Sequence, residues 1–245
     1  MIIKSKSLTH VHIYNCNATI IQSQKTDAPI KILDAGCGDG ELISYLYRSF
    51  QENFPLIKIH IYGFDVIDHG VQFCGYGAKT LALLEELAPS INWKERIQFF
   101  TIEEKWRYET NYFDFIVSNQ VLDKQRFLRN IYHCLKKNGY SFHLAPLIHC
   151  VHEWHILIPF AHRIKSYDFF YSYIKICSIL KIGKYRSHHR ATAITLDDYT
   201  RRHADYIMFW TSYSTQASTL DMARKSGFRC DFRFTKGLET SGNRS

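Results

Sequence analysis

No stretch of this 245-residue chain is apolar over the roughly 18 residues that a bilayer-spanning helix needs. An integral membrane protein is therefore not expected. The first residues, Met1-Ile2-Ile3-Lys4-Ser5-Lys6, lack the apolar core and small-residue cleavage site of a secretion signal. Cys-x-x-Cys pairs are missing too. The seven cysteines, Cys16, Cys37, Cys74, Cys134, Cys150, Cys177 and Cys230, are scattered and odd in number. That pattern speaks against a disulfide framework or a zinc knuckle and suits a reducing cytoplasm, which is the expected location. There is no internal repeat and no low-complexity linker.

What is present is a core-forming composition. The chain is 46% hydrophobic and 15% aromatic, which suits one sizeable α/β domain with an insertion, or at most two small domains. The formal net charge is +8. Arg163, Lys165, Lys175, Lys181, Lys184, Arg186, Arg190, Arg201 and Arg202 concentrate much of it in one stretch. Such a stretch fits nucleic acid, a membrane surface or a phosphorylated substrate, and it also fits a surface that merely stays soluble.

Residues 1–28 are weakly patterned and read as a short arm or lid. Strand and helix patterns then alternate. Ile30 to Leu33 reads as a strand ended by Asp34-Ala35-Gly36, and Glu41 to Phe50 as a helix. Ile57 to Phe64 is a β-branched and aromatic strand, and Gly77 to Leu87 a helix closed by Pro89. Arg96 to Thr101 and Phe113 to Ser118 are further strands. Arg126 to Lys137 is a helix with Gly139 as its stop, and Tyr140 to Leu144 a fifth strand. This rhythm predicts a mainly parallel sheet with right-handed crossovers over residues 29–146. It breaks in the His-rich, aromatic and basic segment 147–210, read as an insertion. In residues 211–245 a helix from Thr215 to Ser226, capped by Gly227, leads into a strand from Phe228 to Thr235 and a polar tail.

Asp34-Ala35-Gly36-Cys37-Gly38-Asp39-Gly40 joins the first strand to the first helix of that pattern. A ligand approaching a helix N-terminus needs backbone without side chains in its way. Asp65 ends the next strand, where a carboxylate can take both hydroxyls of a ribose. The G-x-G-x-G spacing differs from the dinucleotide G-x-G-x-x-G. No pyrophosphate then needs a cradle, which favours adenosine carrying an amino-acid tail.

These residues resemble the motifs of class I methyltransferases, which use S-adenosylmethionine. Ile32 to Gly40 looks like the first motif and Ile61-Tyr62-Gly63-Phe64-Asp65 like the second. Phe113 to Leu122 resembles the fourth, and Phe127 to Ile131 through Leu135 to Tyr140 the helix and turn before the fifth strand. The similarity covers residues 29–146, with an echo at Ala223 to Phe228. It implies an α/β fold with a mostly parallel Rossmann-like methyltransferase sheet, helices on both faces and an inserted cap. It further implies that Gly36, Cys37, Gly38 and Gly40 pass close to the methionine part of the cofactor. Asp34 would support that loop and reach the cofactor's amino group. Asp65 would bind the ribose and Val66 flank the adenine. Ile102 and Glu103 would lie at the adenine edge, and Ser118, Asn119 and Gln120 would face the sulfonium. The sequence departs from the family at Asp123-Lys124, where members often carry Glu-His, and in having one final strand where two are usual.

Methyl transfer is an in-line displacement from a sulfonium, so the protein must align the acceptor, exclude water and, for a hydroxyl, remove a proton. The candidates follow the fifth strand: His149, His152 and His155, with Glu153 and Trp154 among them. One of these histidines can serve as a general base, with His152 and His155 ahead of His149. Equally, each can be a packing residue of a cap. No metal site is expected. The aromatic helix from Tyr167 to Lys181 reads as a cap over the active site, with an interfacial helix facing a membrane as the alternative. The residues favour methylation of a small molecule or of a glycan-related acceptor, such as a sugar or sugar phosphate. Polysaccharide biosynthesis is the suggested setting, since the His152 to His155 and Pro159 to His162 segments resemble methyltransferases of bacterial surface-polysaccharide clusters. The second reading is a nucleic-acid methyltransferase, which the charge favours but which Ser118-Asn119-Gln120-Val121 does not, being unlike an Asn-Pro-Pro-Tyr motif. A binding subunit without activity is the third. No obligate protein partner is evident.

Overall fold

A computed structural model describes residues 7–24, 28–66, 75–100, 106–119, 125–211 and 213–235. The chain divides into two compact units, residues 1–144 with 223–245, and residues 145–222.

In the first unit, helix α1 (Leu8–Ile21) precedes β1 (Ile30–Ala35), α2 (Glu41–Asn53), β2 (Ile59–Val66), α3 (Tyr76–Leu87), the single turn α4 (Trp93–Arg96), β3 (Ile97–Phe100), β4 (Phe113–Asn119), α5 (Gln125–Cys134) and β5 (Leu135–Leu144). The five strands form one parallel sheet in the order β3-β2-β1-β4-β5. The order reverses between β1 and β4. In such sheets the crevice that takes ligands opens at that point, at the carboxyl ends of the strands. The alternation of strand and helix predicted over residues 29–146 is the one observed.

The principal core lies on one face of the sheet. Ile30, Ile32, Ile59, Ile61, Phe115 and Val117 project from the strands, and Leu42, Ile43, Leu46 and Phe50 meet them from α2. Strands buried in this way read as near-continuous apolar runs. Trp93, fully buried, anchors α4 by donating from Nε1 to the Ala88 carbonyl at 3.2 Å.

Three expectations need correction. The N-terminal arm is a helix with a structural role: Ile13, Cys16, Ala18 and Ile21 of α1 are buried. Its apolar residues are distributed around the helix and interrupted by Asn15 and Asn17, so no amphipathic stripe announces it. Asn17 is accommodated by donating to the Ile13 carbonyl at 2.7 Å.

The helix expected over Arg126 to Lys137 ends at Cys134, and the strand expected from Tyr140 begins at Leu135. The carbonyls of His133 and Cys134 are claimed by the backbone N–H groups of Asn111 and Tyr112 at 3.0 and 2.8 Å. Leu135 then pairs with Phe113, and Lys136 reaches the Asp114 carboxylate at 2.7 Å. Gly139 marks a close approach, since a Cβ there would stand 2.8 Å from the Asp114 carbonyl.

The third correction concerns Phe228 to Thr235, which forms no strand. Its aromatic side chains are half-buried without strand pairing, Phe228 against Tyr132 and Phe234 against Phe142. Asp231 is bonded by both the backbone and the guanidinium of Arg233, which holds the segment in a local turn.

The second unit has its own core. A short antiparallel hairpin, β6 (His152–Glu153) with β7 (Ile158–Pro159), is followed by α6 (Tyr167–Ile179), α7 (Tyr185–Thr192), α8 (Leu196–Asp205) and a π-helical turn (Tyr206–Trp210). Ile156, Ile158, Phe170, Ile174, Cys177, Tyr199, Ala204 and Ile207 pack together. Helix α9 (Gln216–Lys225) closes the chain's regular structure, and Gly227 follows it.

Gly63 shows how tightly β2 meets the turn after β1. A Cβ at this position would lie 2.6 Å from Ile43 Cδ1 and 3.0 Å from Cys37 Cβ. Gly63→Ala should therefore destabilise the protein by about 1–3 kcal/mol through overpacking. Urea unfolding is the measurement, and combining it with Ile43→Val should recover part of the loss. A neutral Gly63→Ala would mean that this contact is slack.

Candidate active site

The turn between β1 and α2 lies at the switch point. Gly36 and Cys37 both donate their backbone N–H to the Phe64 carbonyl at 2.9 Å, and Gly40 N–H bonds the Cys37 carbonyl at 3.0 Å. Gly36, Gly38 and Gly40 have φ of 88°, 56° and 82°, values that L side chains rarely adopt. A Cβ at Gly38 would also press on the Tyr76 hydroxyl at 3.2 Å. The loop is thus a bare backbone surface at the N-terminus of α2. Cys37 itself is buried against Gly63, so it offers the site its backbone and not its thiol, which burial pushes well above the ordinary thiol range.

Asp65, half-buried at the end of β2, holds this loop in place. Its Oδ2 accepts from Gly38 N–H at 2.7 Å and from the Tyr76 hydroxyl at 3.3 Å, and its Oδ1 from Val66 N–H at 2.7 Å. Thr80, buried on α3, donates to the Gly38 carbonyl at 3.2 Å. Burial and the neighbouring Asp65 charge push the Tyr76 phenol far above its usual range, so it remains a donor.

Asp34 is 1% exposed, and among the described residues neither carboxylate oxygen has a hydrogen-bond partner. Burial, and after it the charge of Asp65, raises its carboxyl well above the usual carboxylate range. An unpartnered buried carboxylate is costly. It is the kind of group that an incoming cation satisfies.

At the end of β4 the polar side chains are engaged within the fold. Ser118 is fully buried and its hydroxyl bonds His143 Nδ1 at 2.7 Å, while Ser141 bonds the other ring nitrogen. Desolvation lowers His143 to about 4, so it is neutral at pH 7. Asn119 donates to Thr9 Oγ1 at 3.3 Å, and its own Oδ1 is buried without a partner. The first turn of α1 therefore stands beside the end of β4, with His10 near Glu41 and Asp39 of the loop, whose charges partly offset the lowering that burial imposes on it. Ile102, Glu103 and Gln120 lie outside the described residues.

Tyr76, Thr80, His143 and the first turn of α1 were not found from sequence. Each is brought in by tertiary packing from an element with no motif of its own.

The three acceptor-side histidines belong to the second unit. His149 and His152 are exposed. His155 is half-buried and joined through Nδ1 to Glu153 Oε1 at 2.5 Å. Glu153 is fully buried and also accepts from the Tyr213 hydroxyl and, at 2.9 Å, from Ile156 N–H. Burial alone would raise the Glu153 carboxyl, but these bonds from His155, Tyr213 and Ile156 bring it below its ordinary value. A carboxylate only accepts, so His155 Nδ1 carries the proton and Nε2 is left as the basic nitrogen. Glu153, which the sequence reading treated as a neighbour, is the orienting group of this pair. Among the described residues no cluster of three His, Cys, Asp or Glu side chains could hold a metal ion.

The isolation of Asp34 has a measurable consequence. With its pKa raised, the folded state binds a proton more tightly than the unfolded chain, so stability falls as pH rises above the ordinary aspartate value. One such group contributes a slope of about 1.4 kcal/mol per pH unit within that window. Asp34→Asn should flatten the slope and raise the thermal midpoint of the ligand-free protein at pH 7.5. A lower midpoint would show that the carboxylate is satisfied in the fold.

A methyltransferase domain family matches residues 12–179, and no curated protein matches in sequence. Among solved structures, phosphoethanolamine N-methyltransferase 2 of Haemonchus contortus is 15% identical. It aligns over 87% of this chain and 37% of its own, with a TM-score of 0.46. A SAM-dependent methyltransferase from Aquifex aeolicus is 14% identical over 69% and 82%, with a TM-score of 0.42. A putative S-adenosyl-L-methionine-dependent methyltransferase of Methanococcus maripaludis is 18% identical over 84% and 81%, with a TM-score of 0.37. The chain spans little more than a third of the length of the first of these. With its parallel sheet and the glycine turn at the switch point, and with the match covering more than half of its length, the chain belongs to the methyltransferase domain family, with the class I fold that uses S-adenosylmethionine.

Proposed function

We propose that the protein transfers the methyl group of S-adenosylmethionine to a hydroxyl of a small or glycan-related acceptor, a sugar or sugar phosphate. The observation that carries the cofactor half is the pairing of a bare glycine turn with two carboxylates, one of them buried and unpartnered. A carboxylate beside a buried carboxyl that would gain its charge only with a cation next to it disfavours a pyrophosphate and favours a cation. S-adenosylmethionine has two cationic centres, its ammonium and its sulfonium. Asp34 is suited to the ammonium, directly or through water, and the backbone of Gly36, Gly38 and Gly40 to the methionine part. Asp65, at the end of β2 beside the glycine turn, is suited to the ribose hydroxyls, and Val66 has an apolar side chain for the adenine. When bound, the cofactor supplies an activated methyl and a neutral thioether leaving group.

On the acceptor side the reading rests on His155. A base needs its proton-accepting nitrogen set by a second group, and the Glu153–His155 pair has that form, whereas His149 and His152 are exposed and without such a partner. A hydroxyl acceptor would lose its proton to Nε2 as the oxygen–methyl bond forms, and Glu153 would stabilise the imidazolium. Methylation of RNA is the second reading, supported by the net charge of +8.

Calorimetry should show S-adenosylmethionine binding to the wild type and a loss of about 1.5–3 kcal/mol in Asp65→Ala, the cost of removing bonds to a charged group. His155→Ala should leave that affinity intact and lower turnover by about 10²–10⁴-fold. Failure to bind the cofactor would end the whole reading. Full turnover in His155→Ala would end only the base, and transfer of labelled methyl into RNA but not into sugar pools would replace the acceptor.

A further inference from the structure

Helix α6 carries more apolar surface than its unit buries. Phe170, Ile174 and Cys177 face the core of the second unit. Ile176, Ile179 and Leu180, at the i, i+3, i+4 spacing of another face, point outward. Two loops extend this face. Ile182 follows the helix, and Trp154 and Leu157 lie on the tip of the β6–β7 hairpin. Lys184 joins the two loops, donating from its backbone N–H to the Ile156 carbonyl at 2.9 Å and from Nζ to the Trp154 carbonyl at 2.8 Å. Gly183 lies against the same hairpin, where a Cβ would stand 2.6 Å from the Ile156 carbonyl. The six apolar side chains are 40 to 64% exposed. Single exposed apolar residues are unremarkable, but a contiguous group of this size marks a contact surface.

The charge around this group identifies its occupant. From Phe169 to Arg190 the chain has no acidic residue, and it carries Lys175, Lys181, Lys184, Arg186 and Arg190. Of the acids on the packed elements, Glu153 is fully buried, Asp197 is bound to Lys175 at 2.6 Å, Asp205 accepts from the Tyr167 hydroxyl and Asp198 from Thr195, while Asp168 lies in the first turn of α6, at the end away from Leu180. The face is thus apolar at its centre and cationic at its rim, with a tryptophan at the border. A second copy of the chain would bring one cationic rim against another in a two-fold pairing. A nucleic acid would leave isoleucine and leucine without an apolar partner. An anionic bilayer satisfies both parts: acyl chains receive the aliphatic residues, and headgroup phosphates and carboxylates receive the lysines.

We infer that residues 154–186 form a peripheral membrane-binding face that inserts Trp154, Leu157, Ile179, Leu180 and Ile182 into an anionic lipid surface. The 245-residue chain should cosediment with phosphatidylcholine vesicles containing phosphatidylserine and not with phosphatidylcholine alone. Raising salt to about 0.5 M should weaken the binding by screening the rim. Leu180→Asp with Ile182→Asp should lower the partition coefficient by at least about tenfold, with calorimetric affinity for S-adenosylmethionine unchanged. Lipids brominated in their acyl chains should quench the tryptophan fluorescence of the wild type, a readout that needs no variant. The inference is overturned by absence of binding to anionic vesicles at low salt, by binding that survives the double substitution, or by absence of quenching. It is equally overturned by a dimer in sedimentation equilibrium that the same substitution dissolves.

Discussion

The site is organised by the hydrogen bond between Gly38 N–H and the Asp65 carboxylate. This bond ties the turn after β1 to the end of β2, so the bare backbone of the glycine loop and the carboxylate beside it cannot drift apart. The parallel pairing of β1 with β2 supplies the framework, and Gly63 permits the turn to lie directly on β2. Tyr76 and Thr80 extend the same arrangement from α3. The geometry of the glycine turn is therefore built from short-range restraints at one strand edge. It does not depend on a distant part of the chain.

Much of this was legible in the sequence, for a physical reason. The glycines and Asp65 are local to strand ends, and strand ends are marked by the switch from apolar runs to helical spacing. Residues whose roles depend on tertiary packing were not legible. Helix α1 has no apolar stripe, and so its contribution to the core and its first turn beside Asn119 could not be anticipated. Ser118 was placed correctly on the end of β4, yet its hydroxyl is engaged by His143, a residue twenty-five positions away on the neighbouring strand. The final segment has the alternation of a strand but packs its half-buried aromatics without strand pairing. Alternation reports which side chains meet the core and leaves open whether the backbone has a partner.

Residues 145–222 illustrate a different limit. Their aromatic and basic composition was plain, but composition could not separate the side chains that build a core from those that remain outside it. Phe170, Ile174, Cys177 and Tyr199 build it, with Glu153 as its one fully buried acid. Isolated in an apolar interior, that carboxylate is tolerable only because three donors converge on it. The hairpin that carries His155 is thereby ordered by a polar network as much as by packing.

The irregular pairing of β5 with β4 has a consequence for how the family can vary in length. Between the pairs Phe113–Leu135 and Phe115–Tyr140 the edge strand takes five residue steps where its neighbour takes two. Tyr140 and Phe142 consequently stack on the side of Phe115, while His143 meets Ser118 on the other. Side chains alternate with a period of two, so the irregularity acts as a parity setting for the edge of the sheet. Removing or adding a single residue between Lys136 and Gly139 would exchange the two sides, sending Ser141 and His143 into the oily layer and Phe142 out of it. Changes of two residues would leave the pattern intact. Length variation at this bend should therefore come in even steps, an evolutionary grammar imposed by one slip in register.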